Sequence, residues 1–347
     1  MKARGLAVQG ALAAGALVAA YATWQGPKET TGSDAQVTVV DASKSKLDKV
    51  RYEDGRNSIE LFKKGERFLL TQASFPPKPL PTAFQADAGQ SDGGAADAGV
   101  VVAAAPEKPK APRTVYAGER AEKLYEKFTP FEASRALGVL AADKLKEVGL
   151  EGSERKLTVT VSGQSRVFTV SKPDTATIGT YLRDEKSGEV FLMSGVLFAE
   201  LEPSSAALVE RRLHAFKAAA VDELTVTAEG SAKTYLQKDA DIPATTKLSP
   251  KDAPDKPDEL ARNWHDKVWS RLIVTDVLGE GELPEGGEPK VAVRIDYRGK
   301  GETKGFLELA QVGKSLFARS ENTVSWVGLH AGADDLLAEA KKIAGGK

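Results

Sequence analysis

The chain has 347 residues, 48 Lys and Arg against 49 Asp and Glu, and a net charge of -1. That length accommodates two domains of ordinary size, each with its own core, and no Lys/Arg cluster is free of interspersed acids, which argues against nucleic acid as a partner. With no cysteine in the chain, disulfides, thiolate metal sites, thiol nucleophiles and an N-terminal lipid-modified Cys are excluded together.

Lys2 and Arg4 precede an uncharged stretch from Gly5 to Trp24, after which Lys28 and Glu29 restore polarity. About twenty helical residues match a hydrocarbon core of roughly 30 Å, so the segment reads as one N-terminal transmembrane helix in contact with membrane lipid. Leu6, Val8, Leu12, Leu17 and Val18 supply most of its hydrophobicity. Positive charge ahead of the span places the N-terminus inside and the body outside. Ala20-Tyr21-Ala22 has the small-x-small form of a signal-peptidase site, which leaves a cleaved signal peptide as the alternative. Both readings export the remainder, and residues 1–36 serve as anchor and tether.

Val37 to Val40 offers a first extended run. Val50 and Tyr52, then Ile59 and Leu61, then Phe68 and Leu70 alternate with polar residues, separated by Asp54-Gly55 and Lys64-Gly65. Alternation broken by such turns predicts an antiparallel meander. Residues 74–114 are rich in Pro, Ala and Gly and have little to bury, so they read as a disordered insertion looped out of the first module. A helical stripe follows from Glu119 to Leu145, divided at Pro130, whose ring clashes with the preceding turn. Leu157 to Val170 predicts a hairpin turned at Ser162-Gly163. Tyr181 to Phe191 predicts another, turned at Lys186-Ser187-Gly188, and Leu197 to Leu201 a short helix.

Pro203 to Ala219 reads as an amphipathic helix leading to a hairpin at Leu224, Val226, Tyr235 and Leu236, and Asp239 to Pro257 as a linker. Asp258 opens a helix with Leu260, Trp264, Val268 and Leu272 at helical spacing. Val291 to Tyr297 and Phe306 to Leu309 alternate around Gly299-Lys300-Gly301, and Leu336 to Ile343 ends in a helix. The order of elements is therefore given twice. Tyr181-Leu182-Arg183 leads through a turn to Val190-Phe191-Leu192 and Gly195, as Phe317-Ala318-Arg319 leads to Val324-Ser325-Trp326 and Gly328. The expected fold is α+β: tandem duplicated modules of antiparallel strands with helices on one face, residues 37–220 and 221–347, behind the N-terminal helix.

This layout resembles the domain-of-unknown-function family numbered 4340. The resemblance rests on Val50 to Leu70, on the helix before Glu147-Val148-Gly149-Leu150, on Tyr181-Leu182-Arg183 with Val190-Phe191-Leu192, and on Arg211-Arg212-Leu213 to Phe216 leading into Val221-Asp222-Glu223-Leu224-Thr225-Val226. It implies an inner-membrane, single-pass protein with its body in the periplasm. Such proteins look like companions of ABC transporters of the gliding-motility type. The family supplies no catalytic residue to carry over, and the long Pro/Ala insertion departs from its usual compactness.

The residues themselves point to no catalytic centre, cofactor or metal. His214, His265 and His330 lie in separate elements without the spacing that puts two ligands on one helix face, and His265 reads as a helix-surface neighbour of a buried Trp264. Gly279-Glu280-Gly281 and Gly299-Lys300-Gly301 read as turns, since neither opens a helix as a phosphate loop does. There is no Gly-x-Ser-x-Gly elbow. Arg183 and Arg319 stand out as a candidate interface, because they occupy equivalent strand ends. Their alternative is an ion pair within the module, with Asp184 or Glu321. The expected function is a non-catalytic, membrane-tethered accessory or scaffold protein of an ABC-transporter-like envelope complex, with envelope or transporter subunits as partners. The other class is a glycan- or peptide-binding module with a groove between the repeats, where Tyr181, Trp264 or Trp326 would stack.

Overall fold

A computed structural model describes residues 36–43, 46–75, 111–173, 179–202, 206–240, 245–330 and 333–345. The expected transmembrane helix and the body of the insertion, residues 76–110, lie outside the described residues. Among the described residues no helix is long and apolar enough to cross a membrane.

The alternating runs form antiparallel sheet. Val37–Val40 (β1) pairs with Phe131–Ala133 (β6) as a two-stranded ribbon. Nine strands form the first large sheet: Leu47–Glu53 (β2), Asn57–Lys64 (β3), Arg67–Ser74 (β4), Arg113–Tyr116 (β5), Arg135–Val139 (β7), Lys156–Val161 (β8), Gln164–Val170 (β9), Gly179–Asp184 (β10) and Glu189–Ser194 (β11). Their spatial order is β5-β4-β3-β2-β8-β9-β10-β11-β7. The second sheet has eight: Glu223–Ala228 (β12), Ser231–Lys238 (β13), Lys247–Pro250 (β14), Val274–Val277 (β15), Lys290–Gly299 (β16), Glu302–Val312 (β17), Ser315–Ser320 (β18) and Val327–Leu329 (β19). Its order is β14-β13-β12-β16-β17-β18-β19-β15. Strand for strand the two orders coincide from β4/β14 to β7/β15, and β5 is an addition at one edge of the first sheet. The turns match as well. Ser162-Gly163 and Lys300-Gly301 each hold two successive residues at positive φ (49° and 78°; 53° and 78°), the conformation that keeps a two-residue hairpin in step with strand twist.

Each sheet buries one face. In β2, Leu47, Val50 and Tyr52 point inward, as Leu224, Val226 and Ala228 do in β12. Helices Glu119–Glu126 (α1) and Gly195–Leu201 (α3) join the first cluster through Ala121, Leu124, Tyr125, Leu197, Phe198 and Leu201. Ala142–Glu147 (α2) lies between β7 and β8 in sequence and buries none of its residues. Glu259–Ser270 (α4) and Ala333–Gly345 (α5) join the second cluster through Ala261, Trp264, Val268, Leu336, Leu337, Ala340 and Ile343. Asp258 starts α4 because its carboxylate accepts from Ala261 N at 3.0 Å. The fold is thus α+β and sheet-rich.

Several expected elements differ: the insertion ends before Arg113 and Thr114, which pair with β4 as part of β5, and Val324-Ser325-Trp326 is a bend ahead of β19 rather than a strand. Residues 131–139 are strand rather than helix: Gly138 sits at φ +71°, which no α-helix admits, and Phe131 and Ala133 bury themselves by pairing with β1. Residues 209–217 form no helix either, because tertiary partners take their backbone groups. Glu210 N donates to Tyr116 O (2.9 Å), Val209 bridges Ala117, and Asn322 donates to Arg212 O. Short 3-10 turns remain at Ala206–Leu208 and Ala218–Ala220. The linker before α4 contains β14, whose Leu248, Ser249 and Pro250 are buried beside β13.

The modules meet where β5 approaches the segment after β15. Arg113 bonds Asp276 (3.2 Å) and Glu282 (2.6 Å), Glu280 N donates to Thr114 O (3.1 Å), and Arg67 reaches Asn322 Oδ1 (2.7 Å).

Backbone approach is tightest at Gly299, where an added Cβ would stand 1.9 Å from Ala220 O. Gly299→Ala is therefore expected to cost about 2 kcal/mol or more. A urea midpoint equal to that of the parent would refute the close approach.

Candidate functional site

Arg183 and Arg319 occupy matching positions, the penultimate residues of β10 and β18. Their surroundings do not match. Arg319 lies across from Glu308 in β17, whereas Arg183 lies across from Thr169 in β9. Arg319 grips Glu308 through Nη2 (2.6 Å) and Nε (2.9 Å), and Arg294 bonds the other carboxylate oxygen at 2.6 Å. Glu308 is only 6% exposed, so two guanidinium groups hold one buried charge, the condition under which such a charge is tolerated. Both arginines also lie over rings, Arg319 over Trp326 (4.9 Å) and Arg294 over Phe306 (4.8 Å). Arg183 is exposed and makes no side-chain hydrogen bond or ion pair among the described residues.

The partners expected for these arginines are engaged elsewhere. Asp184 is taken by Arg166 and caps its own turn, accepting from Lys186 N (2.7 Å) and Ser187 N (3.1 Å). Burial pushes its carboxyl up, but these hydrogen bonds outweigh burial and hold it below the ordinary value. Glu321 accepts from Ala215 N (3.2 Å) and Phe306 N (3.1 Å) and lies 3.2 Å from His214 Nδ1. Of the aromatics expected to stack on a ligand, Trp264 and Trp326 are buried and Tyr181 is half-buried. Trp264 Nε1 donates to Leu336 O at 2.8 Å.

Two histidines that the sequence leaves apart come together in the second module. His214 stacks on Trp269 with centroids 4.7 Å apart and planes 9° off parallel. His265 lies 5.8 Å from the same indole and 5.9 Å from Tyr297. His330 is exposed. Among the described residues no three His, Asp or Glu side chains gather as a metal site.

His265 is buried, not on the helix surface, because it follows Ala261 by four residues on the face that α4 packs inward. Burial first, and His214 second, lower its pKa from 6.5 to about 4, against a weak opposing pull from Asp266. The ring is therefore neutral at neutral pH and a weak proton acceptor. Its Nε2 is enclosed and unpartnered among the described residues, as is Gln237 Oε1. Both side chains line a cavity of about 80 Å³ whose wall includes Ala218, Ala240, Arg262 and Trp269. A mostly apolar hollow lined by a few polar residues is suited to binding a small neutral group.

Residues 112–282 match the family described as Domain of unknown function (DUF4340). The match runs from β5 to the segment after β15, and so takes in most of the first module and the first part of the second. No curated protein and no solved structure matches the chain significantly.

The unequal arginines make a sharp comparison. Arg319→Ala removes one of two cations from a buried carboxylate and is expected to cost roughly 1–3 kcal/mol. Arg183→Ala should stay within about 0.5 kcal/mol of the parent. Equal losses in paired urea titrations would contradict the described ion pairs. His265 gives a pH test. Between pH about 6.5 and about 4 the unfolded chain binds a proton that the folded ring refuses, so stability falls as pH drops through that window. The difference amounts to roughly 3 kcal/mol. His265→Leu is expected to flatten that limb of the curve, measured as urea stability at pH 7, 5.5 and 4.

Proposed function

We propose that the protein is a non-catalytic accessory or scaffold subunit of an ABC-transporter-like envelope assembly. Residues 1–36 tether it to the inner membrane, and the two-sheet body stands in the periplasm. The uncharged run Gly5 to Trp24 behind Lys2 and Arg4 supports the topology. The shared strand order of the two sheets supports a body built by copying one module.

The observation that carries the docking role is the outer edge of β7. This strand ends the first sheet, and no described strand lies beyond it. Val139 at its far end is 72% exposed, and Val196, which shares a shallow depression with Ser134 beside its near end, is 64% exposed. An edge with free backbone groups and exposed apolar residues is a template for adding a partner's strand. The corresponding edge of the second sheet, β15, is engaged within the chain: Arg211 bonds Val274 O (2.9 Å) and Arg113 bonds Asp276. One end of the tandem is joined internally and the other is offered outward.

Cross-linking in native membranes followed by mass spectrometry tests this reading. Envelope subunits should be recovered with the intact protein and lost by about tenfold or more with Val139→Lys plus Val196→Lys, a loss worth at least about 1.4 kcal/mol. The thermal midpoint should not change. Deleting residues 1–36 should move the body into the soluble fraction. Recovery of no membrane complex would defeat the proposal.

A further inference from the structure

α1 and α4 stand at matching places in the two modules and bury residues at the same spacing. Ala121, Leu124 and Tyr125 in the first, with Phe128 just past its end, correspond to Ala261, Trp264, His265 and Val268 in the second. Tyr125 therefore corresponds to His265. In the first module the Tyr125 hydroxyl donates to Leu47 O at the start of β2, and its ring packs edge-on against Phe68 at 5.1 Å. Phenol and carbonyl close that space.

In the second module the imidazole is shorter and bonds no backbone carbonyl among the described residues. The corresponding carbonyl is Val221 O, three residues before Leu224 as Leu47 is three before Val50. It is taken by Gln237 Nε2 at 3.1 Å, and the same nitrogen bonds Ala218 O at 2.9 Å. Gln237 thus spends its donors on two backbone carbonyls and leaves its acceptor, Oε1, without a partner among the described residues, as Nε2 of His265 is. Both residues line the cavity described above, together with Ala218, Ala240, Arg262, Asp266 and Trp269. The second module has an opening at the place that a tyrosine fills in the first.

We propose that this opening binds a phenol, a hydroxyl-bearing aromatic ring carried by a free molecule or by a tyrosine side chain of a partner. The hydroxyl hydrogen meets Gln237 Oε1. A neutral imidazole has one N–H, and in the Nε2–H tautomer it donates to the hydroxyl oxygen. Trp269 offers a face to the ring, and the alanines leave room for it. A charged ligand is disfavoured, since both unmet atoms are uncharged and enclosed, and Arg262 and Asp266 in the lining present one charge of each sign. A purely apolar ligand would leave both atoms unpaired, which is the basis of discrimination in a site of this kind.

The test uses the full-length protein purified in detergent, labelled with ¹⁵N-tryptophan, with the Trp269 indole resonance assigned through Trp269→Phe. p-Cresol is expected to shift that resonance saturably, with toluene about tenfold weaker. Gln237→Leu should weaken p-cresol by about tenfold and leave toluene unchanged, which also controls for partition into detergent. Ser270 is an exposed residue at the rim, so Ser270→Trp should block both probes without disturbing the fold. N-acetyltyrosinamide competing at lower concentration than p-cresol assigns the site to a partner's tyrosine. Tighter binding of p-cresol assigns it to a free phenol. Equal affinity for p-cresol and toluene, a shift that never saturates, or binding that survives Ser270→Trp would overturn the proposal.

Discussion

A sheet that alternates apolar and polar residues can satisfy water on one face only, and the other must be covered. This constraint organises the whole protein. In each module a helix before the four-strand run and a helix after it supply the cover, so that Phe198 and Tyr125 in one, or Trp264 and Ile343 in the other, sit with the inward strand residues in one cluster. Each large buried side chain contributes about 1.5–3 kcal/mol through this burial. Register follows from the same cause, since a slip by one residue would turn every inward side chain to solvent.

The link between the modules follows a different logic. Residues 208–210 complete the edge of β5, and residues 212–213 accept hydrogen bonds from Asn322 and Ser320 in the second module. One segment is held by both sheets through its backbone. It abandons its own helical hydrogen bonds to do so, and the exchange is balanced because every buried donor or acceptor must find a partner somewhere. The join also makes the repeat asymmetric: β15 is engaged and, among the described residues, the outer edge of β7 is not.

Asymmetry of this kind frees matching positions to diverge. Thr169 and Glu308 lie across from Arg183 and Arg319, so one arginine is a solvent-facing cation and the other a clasp on a buried carboxylate. Tyr125 closes its pocket and His265 leaves one open. In both comparisons the backbone frame is shared and the side-chain chemistry differs.

Sequence alone determined which residues pair locally. Val50 to Leu70, Ser162-Gly163 and Lys300-Gly301 predict the hairpins because alternation and turn chemistry act over a few residues, and the recurrence of these patterns indicated two like modules. The tertiary structure alone decided residues 131–139, 209–217 and 247–250, where stripes compatible with helix or linker yield to hydrogen bonds from distant strands. It also decided the cluster of His214, His265, Gln237 and Trp269. No spacing along the chain encodes that gathering, because its members meet only after separate elements pack, and burial then sets their hydrogen bonding and charge.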